Sequence, residues 1–204
     1  VFNFTGYGVY VRFDSGTWTA LHSANATQIA IGNLDDTTGK ADVVLSFPGA
    51  GLWAWMNNAS WVQLHPLNVT NLQAGDIDGN GRADLVAQFA GYGEFIYYNN
   101  TSWVALHSTQ ANGIVLANMD SDANHRMDVI ISFPGLGTWT WMNNSTWVQL
   151  HPLNPTVMAV GDLDGNGADD VALGFAGYGL FVRKNNASWV ALHSVVPELV
   201  AGAR

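Results

Sequence analysis

The chain of 204 residues is built from one repeat that occurs five times. A Trp-Val/Thr-x-Leu-His segment recurs with spacings of 43, 42, 44 and 42 residues, beginning at Trp18, Trp61, Trp103, Trp147 and Trp189. A second marker, Phe-x-Gly-x-Gly, recurs with the same spacings and begins at Phe4, Phe47, Phe89, Phe133 and Phe175. A unit this short cannot bury its apolar face alone, so neighbouring copies must pack against one another.

Each repeat contains four short segments with the pattern of β-strands. In the third repeat these are residues 72–75, 84–89, 94–98 and 103–107. Turns rich in Gly, Asn, Asp and Ser separate them, and no stretch shows helical periodicity. Four strands in a repeat of this length are typical of one blade of a β-propeller. The sequence therefore predicts an all-β, five-bladed β-propeller with four antiparallel strands per blade, forming a single domain over residues 1–204.

The two ends of the chain carry complementary parts of one repeat. Residues 1–4 match the second strand of a blade, and residues 198–202 match a first strand. Pairing of these strands in one sheet would complete the fifth blade and remove an exposed sheet edge. We therefore expect the ring to be closed by the N- and C-terminal strands.

An acidic loop joins the first and second strands of four repeats. Its two fullest copies run over residues 76–84 and 162–170, with oxygen-bearing side chains at positions 1, 3, 5 and 9 and a carbonyl at position 7. Such an oxygen set suits Ca²⁺ and does not suit zinc. The predicted ligands are Asp76, Asp78, Asn80, the Arg82 carbonyl and Asp84 in one loop, and Asp162, Asp164, Asn166, the Ala168 carbonyl and Asp170 in the other.

The other two loops are poorer copies. The loop over residues 120–128 keeps the spacing and lacks both glycines, and its predicted ligands are Asp120, Asp122, Asn124, the Arg126 carbonyl and Asp128. In the first loop, counting back from Asp42 puts Leu34 at position 1, so either one residue is inserted or the first ligand is missing. We expect the weakest binding, or none, near Asp35. An alternative for all four loops is a turn rich in Asp and Asn that binds no metal.

The charge of the chain reflects these loops. The formal net charge is −9, and 13 of the 16 acidic residues lie in the four loops. With only seven Lys and Arg, the chain lacks the basic surface of a nucleic-acid-binding protein. There is no cysteine and no apolar stretch of transmembrane length, so we expect no thiol chemistry and no membrane insertion.

The Asp-x-Asp-Gly-Asn-Gly-x-x-Asp loops resemble the calcium loop of FG-GAP or VCBS repeats. That family includes integrin α-subunit heads, propeller lectins, and modules or lyases that act on polysaccharides. The resemblance implies a calcium-bound propeller. Calcium loops of low charge usually need extracellular or periplasmic calcium concentrations, so we expect a secreted or periplasmic protein. It also implies glycans, glycoproteins or other proteins as partners.

Candidate ligand-binding residues lie at the opposite end of the strands from the acidic loops. In an antiparallel blade the turn between strands two and three meets the connector to the next blade. The predicted ligand-binding residues of these turns and connectors are Tyr7, Tyr92, Tyr178, His22, His65, His107, His151 and His193. A second candidate row in the third strands contains Trp55 and Trp141. The histidines could also be structural donors, and most of the aromatic residues could simply pack between sheets.

Nearly every polar residue has a copy in each repeat, whereas an enzyme needs acid, base or nucleophile groups placed asymmetrically. The leading prediction is therefore a non-catalytic, exported carbohydrate-binding propeller with several similar sites, of which those bearing Tyr7, Tyr92 and Tyr178 bind best. A protein-adhesion or assembly module is the alternative. A fragment of a polysaccharide lyase or hydrolase is the weaker alternative.

Overall fold

The computed structural model describes residues 1–13, 16–35, 39–121 and 126–202. Within these ranges the chain forms five antiparallel sheets and no helix. The first sheet contains β1 (Phe2–Phe4), β2 (Gly8–Phe13) and β3 (Thr17–His22). The second contains β4 (Gln28–Gly32), β5 (Asp42–Phe47), β6 (Gly51–Met56) and β7 (Ser60–His65).

The remaining three sheets repeat the order of the second. The third sheet contains β8 (Val69–Gly75), β9 (Asp84–Phe89), β10 (Gly93–Tyr98) and β11 (Ser102–His107). The fourth contains β12 (Gly113–Ala117), β13 (Asp128–Phe133), β14 (Gly137–Met142) and β15 (Thr146–His151). The fifth contains β16 (Val157–Gly161), β17 (Asp170–Phe175), β18 (Gly179–Lys184) and β19 (Ser188–His193). The all-β prediction is confirmed.

Two kinds of turn set the strand order within each sheet. The Asn-Asn pairs have positive φ at both residues, for example 54° and 59° at Asn57 and Asn58, as a tight two-residue hairpin turn requires. Between β5 and β6, the Ala50 amide donates to the Phe47 carbonyl across Pro48 and Gly49, and Gly49 has a φ of 74°. This is the geometry of a type II turn, which favours Pro and then Gly at its centre.

The core lies between neighbouring sheets. Every residue of β5, β9, β13 and β17 is buried, because each of these strands is the second in its sheet and is covered on both faces. The first strands lie side by side, with β4 next to β8, β8 next to β12, and β12 next to β16. Apolar clusters fill the spaces between the sheets. The sheets therefore form an ordered array in which each packs on the next.

The predicted closure by the terminal strands is not present in the described residues. The first sheet has three strands, and no strand pairs with the free edge of β1. Residues 196–202 contain no strand; Gly202 lies against the backbone of Val160 in β16, and Val200 packs on the apolar residues of the fifth sheet. In the described residues, four sheets therefore have the expected four strands and the first sheet has three, while the C-terminal segment contacts the fifth sheet.

No described segment forms a helix that could span a lipid bilayer.

Candidate functional site

Two groups of residues lie at opposite ends of the sheets: the acidic loops and a set of aromatic cavities. In each acidic loop the last aspartate begins the second strand and is fully buried. Its Oδ2 atom accepts a hydrogen bond from the second residue of the loop, as Asp84 does from Ile77 at 3.0 Å. Its Oδ1 atom accepts one from the Asn-Asn turn, as Asp84 does from the Asn99 amide at 2.9 Å. The same pair of bonds holds Asp42 and Asp128.

The strand register places the loop before β13 differently from the sequence prediction. Ala117 pairs with Asp128 as Gly75 pairs with Asp84, so the loop begins at Asn118. Asp120 is therefore the third loop residue, whereas the sequence prediction placed it first. The two additional residues between Asp120 and Asp128 caused the error, because counting back nine residues ignores them.

In the first loop the strand register favours the inserted residue, one of the two alternatives that the sequence leaves open. Gly32 pairs with Asp42, which makes Asn33 the first loop residue and Leu34 the buried second residue. Asp35 then takes the third position, equivalent to Asp78. Asp122 and Asn124, predicted ligands in the loop before β13, lie outside the described residues.

The loop at Asp76 gathers three carboxylates. Ligand oxygens of Asp76, Asp78 and Asp84 all lie within 4.8 Å of one another. This spacing fits a cation with oxygen ligands at about 2.4 Å, as calcium requires. Burial raises the pKa of Asp84 to about 6, although backbone amides that donate to it oppose the shift and the Asp78 charge adds to it. The three carboxylates therefore fit the Ca²⁺ that the sequence predicts.

The loop at Asp162 has the same residues and a different neighbour. Lys184 Nζ lies 3.1 Å from Asp164 Oδ2, and the resulting hydrogen bond is the main cause of the lowered pKa of Asp164. Asp162 accepts backbone hydrogen bonds from Gly165 and Gly167, and the bond from Gly167 is the main cause of its lowered pKa. The carboxylate oxygens of Asp162, Asp164 and Asp170 do not all lie within 4.8 Å of one another, as those of the Asp76 loop do. A protein cation therefore already neutralises part of this loop.

Sequence analysis missed four asparagines that fix the acidic loops. The first Asn of each Asn-Asn turn donates its side-chain amide to the third loop residue, as Asn99 does to Asp78 at 2.8 Å. The equivalent bonds join Asn57 to Asp35, Asn143 to Asp120 and Asn185 to Asp164. The sequence marked these residues as turn formers, and their location at the same end of the sheet as the loops could have indicated this second role.

Aromatic cavities lie at the other end of the sheets, each between two neighbouring sheets. They have volumes of about 380, 620 and 310 Å³ and lie beside His22, His107 and His151 respectively. Each is walled by aromatic side chains of the following sheet. These are Phe47, Trp53 and Trp61 in the first cavity, Phe133, Trp139 and Trp147 in the second, and Phe175, Phe181 and Trp189 in the third.

The second glycine of the Phe-x-Gly-x-Gly turn brings the two strands of the site together. Gly93 has a φ of 99°, and a Cβ atom there would lie 2.2 Å from the His107 carbonyl oxygen. The register of β10 and β11 also shifts between Glu94 and Phe95, which is a β-bulge beside the histidine. Only glycine allows this close approach. The turn sequence thus positions the histidine that faces the next sheet.

The protonation state of the histidines follows from their hydrogen bonds. In His22, His65, His107 and His151 the Nδ1 atom accepts a backbone amide hydrogen bond from the residue two positions later. An accepting Nδ1 carries no proton, so the neutral ring has its hydrogen on Nε2. Burial also lowers the pKa of His65 and His151, which favours this neutral form. The ring therefore offers an Nε2–H donor to a ligand.

Some of the predicted ligand-binding residues line the cavities, and others do not. His151 and Tyr178 line one cavity together, and His22 and His107 line the cavities at Ala50 and Leu136. Tyr7, Tyr92 and Tyr178 are all well exposed. Tyr7 and His193 are not brought together in any of these cavities, because the first and fifth sheets do not pack on one another as the other pairs do.

The second candidate row lies apart from the cavities. Trp55 packs against Trp61 with ring centroids 5.2 Å apart, and Trp141 packs against Trp147 at 5.3 Å. Neither Trp55 nor Trp141 lines the three cavities. The cavity walls are instead the aromatic rows for which packing between sheets is the leading interpretation of the sequence. The phenylalanines of the Phe-x-Gly-x-Gly turns are buried there, but the tryptophans are only partly buried, and exposure cannot be seen in a pattern of residue types.

Comparison with known proteins shows the fold. No family model matches the sequence, and no curated protein matches it. Among solved structures, a GH74 xyloglucanase from Xanthomonas campestris superposes with a TM-score of 0.63 and 19% identity, over 91% of this chain and 28% of that chain. The BBS1N structure in complex with ARL6DN, soaked with mercury, gives a TM-score of 0.59 and 10% identity, over 88% of this chain and 58% of that chain. The chain thus spans less than two thirds of both. Both are β-propellers, and the five sheets have this fold.

Proposed function

We propose that this protein is a non-catalytic carbohydrate-binding propeller, exported from the cell, whose binding sites are the aromatic cavities between neighbouring sheets. The observation that carries the proposal is the pairing of aromatic walls with a histidine Nε2–H donor in three cavities of about 310 to 620 Å³. Sugars present an apolar face of C–H groups and a rim of hydroxyls, and such a cavity can contact both.

The composition of the cavities supports binding without catalysis. Their lining residues include histidine, aromatic, aliphatic and glutamine side chains, and none of them is a carboxylate. Glycoside hydrolysis commonly requires two carboxyl groups that flank the scissile bond. Glu94, the one glutamate in a described strand, is fully buried and lies outside these cavities.

Calcium belongs to the proposal as a structural ion. Asp76, Asp78 and Asp84 would hold it with their carboxylates, and the ion would compensate three negative charges gathered at one sheet end. Acidic loops of this kind are most useful where calcium is abundant, which supports an extracellular or periplasmic location. The loops lie at the opposite end of the sheets from the cavities, so the ion would not contact the sugar.

The test is a glycan array followed by calorimetric titration of the oligosaccharide that binds. Tyr178→Ala removes an exposed ring from a complete cavity and should weaken binding there, by about fivefold for a loss of about 1 kcal/mol. Tyr7→Ala is the matched control, because Tyr7 holds the same turn position without a neighbouring histidine of the preceding sheet. We expect Tyr7→Ala to keep the affinity and the stoichiometry of the wild type.

Two outcomes would redirect the proposal. Equal binding by both variants and the wild type would place the sugar away from the Tyr178 cavity. Absence of any glycan signal, together with capture of a protein partner, would favour the adhesion function.

A further inference from the structure

One contact repeats at four successive sheet junctions. A histidine at the end of one sheet packs against the phenylalanine of the next, with ring centroids 4.4 Å apart for His22 and Phe47 and 4.3 Å apart for the other three pairs. These other pairs are His65 with Phe89, His107 with Phe133, and His151 with Phe175. The leucine before each histidine packs into the same apolar cluster. The four covered phenylalanines are only 2–4% exposed.

Both halves of this contact are uncovered at the ends of the array. In the first sheet, Phe4 is 43% exposed and Trp18 is 47% exposed, and Phe2 beside them is also exposed. In the fifth sheet, Leu192 is 52% exposed and His193 is exposed as well. The Phe-Trp surface of the first sheet and the Leu-His strand end of the fifth sheet therefore lie on the same chain without touching each other in the described residues. We call them the Phe4 face and the Leu192 face.

We propose that the Leu192 face of one copy of this chain docks on the Phe4 face of a second copy. The occupant follows from the four internal junctions, in which a Leu-His strand end covers a Phe-Trp surface each time. The Leu192 face carries the same Leu-His end, and the Phe4 face carries the same Phe and Trp. Two different patches meet in this contact, so it is heterologous and can extend from copy to copy.

The C-terminal segment is consistent with contact between copies. Val200 packs on Ala159, Ala172 and Val182, and Gly202 lies against the Val160 backbone, so this segment covers the inner part of the free side of the fifth sheet. The inner part is thus covered by the chain itself, and the outer part with Leu192 remains open. A contact limited to this outer part is small, so we expect weak association that depends on concentration.

The experiment uses two single variants that block one face each. Phe4→Glu places a charge on the Phe4 face, and Leu192→Glu places one on the Leu192 face. Both side chains are exposed, so neither change should unfold the monomer. Val148→Glu, at an exposed position on the outer edge of the fourth sheet, is the control. Mass is measured by sedimentation between about 1 and about 100 µM protein, where weak association becomes visible by mass action.

The wild type and the Val148→Glu control should gain mass with concentration, and each blocked variant should remain a monomer. An equimolar mixture of the two blocked variants should stop at two chains, because one free face of each kind remains. A wild type that stays monomeric at every concentration would overturn the proposal and indicate that the two faces meet within one chain. A self-associating wild type whose blocked variants do not pair would also overturn it, since another surface would then be responsible.

Hydrogen exchange of the wild type gives a readout that needs no variant. Amides of β1 should become more protected as the protein concentration rises, while those of β13 should not change. Concentration-independent exchange in β1 would contradict the docking of a second copy.

Discussion

The third and fifth sheets carry the same nine-residue acidic motif, and the structure surrounds it differently in the two places. In the third sheet the second loop residue, Ile77, is fully buried, whereas its equivalent in the fifth sheet, Leu163, is 59% exposed. The following sheet explains this difference. The Met127 amide, just before β13 of the fourth sheet, donates to the Asp76 carbonyl at 2.7 Å, whereas the described residues contain no sheet that packs on the fifth in this way. The motif is therefore covered in one case and open in the other.

The charge around the motif differs as well. The last residue of the third strand is Lys184 in the fifth sheet, where it pairs with Asp164. Its equivalent in the third sheet is Tyr98, whose hydroxyl donates to Asn144 of the next sheet at 2.5 Å. The Asp76 loop thus lacks this ammonium and faces a neighbouring sheet. The loop motif therefore specifies which oxygen atoms are present. The neighbouring sheet and side chains determine how buried these oxygens are and which charges lie beside them.

The largest expected difference concerns the second loop residue. Ile77→Ala should lower the free energy of unfolding by about 2–5 kcal/mol, because it leaves a cavity in a buried site. Leu163→Ala should change it by less than about 0.5 kcal/mol, because that side chain is mostly in water. Urea unfolding at low protein concentration measures both. Equal losses would show that the fifth-sheet loop is covered in solution.

A second difference concerns a buried glutamate in the third sheet, which has no equivalent in the fifth sheet. Glu94 is fully buried, and burial raises its pKa to about 7, although the Ala111 amide donates to it. Its Oε2 atom and the Oε1 atom of its cross-strand neighbour Gln88 have no hydrogen-bond partner among the described residues. The fifth sheet has Leu180 at the position of Glu94. The buried carboxyl therefore favours the protonated form.

The sign of the pH effect follows from the raised pKa. Protonated Glu94 is stable in the fold, so its contribution is fully present below the unfolded pKa near 4.5 and is lost as the pH rises through about 7. Above pH 7 the free energy of unfolding should therefore be about 3 kcal/mol lower than it is below pH 4.5, from this carboxyl alone. Glu94→Gln should remove most of this loss, measured as the melting temperature between pH 5 and pH 8. A Leu180→Gln control should leave the pH dependence unchanged. An unchanged pH profile in Glu94→Gln would refute the assignment.

The third prediction concerns calcium. Calcium should raise the melting temperature, by an amount that corresponds to about 2.7 kcal/mol at a hundredfold excess over the dissociation constant. Asp76→Ala should remove more of this shift than Asp162→Ala, because the Asp76 loop gathers three carboxylates without the lysine of the Asp162 loop. Scanning calorimetry with calcium and with chelator measures the shift. A larger loss in Asp162→Ala would reverse the ranking of the two loops.

The smallest expected effect comes from exchanging the neighbouring side chains. Lys184→Met, which introduces the residue found at the equivalent Met56 and Met142, should tighten calcium binding at the Asp162 loop by about fivefold. Tyr98→Lys should weaken binding at the Asp76 loop by a similar factor, because the ammonium would compete with the ion beside Asp78. Calcium titration by calorimetry resolves both changes. Weaker calcium binding by Lys184→Met, or tighter binding by Tyr98→Lys, would show that Lys184 does not compete with the metal.

Much of the fold could be predicted from the sequence because its signals are local. Strand positions follow from short apolar segments between turn residues. The turns follow from Asn-Asn pairs and from the glycines of the Phe-x-Gly-x-Gly segments, which adopt positive φ. The placement of acidic loops and histidines at opposite sheet ends follows from antiparallel order alone. These features do not depend on contacts between distant repeats.

The misplaced loop residues show where local reasoning fails. Asp120 was counted from a nine-residue template, but the register of β12 and β13 fixes the loop start at Asn118. Register is a property of two strands that meet, and a loop can absorb additional residues without changing it. The aromatic cavity walls were missed for a related reason, since a tryptophan in a repeat looks the same whether its edge is covered or open.

The repeat, the strand order and the chemical groups that each repeat presents can be predicted from the chain alone, because they depend on residue type and spacing within about 43 residues. Which copies of those groups are covered depends on how the sheets pack. Phe4 and Phe47 have the same motif, yet one is 43% exposed and the other 4% exposed. The physical reason is that burial belongs to a pair of sheets, and the first and fifth sheets each have one neighbour where the others have two.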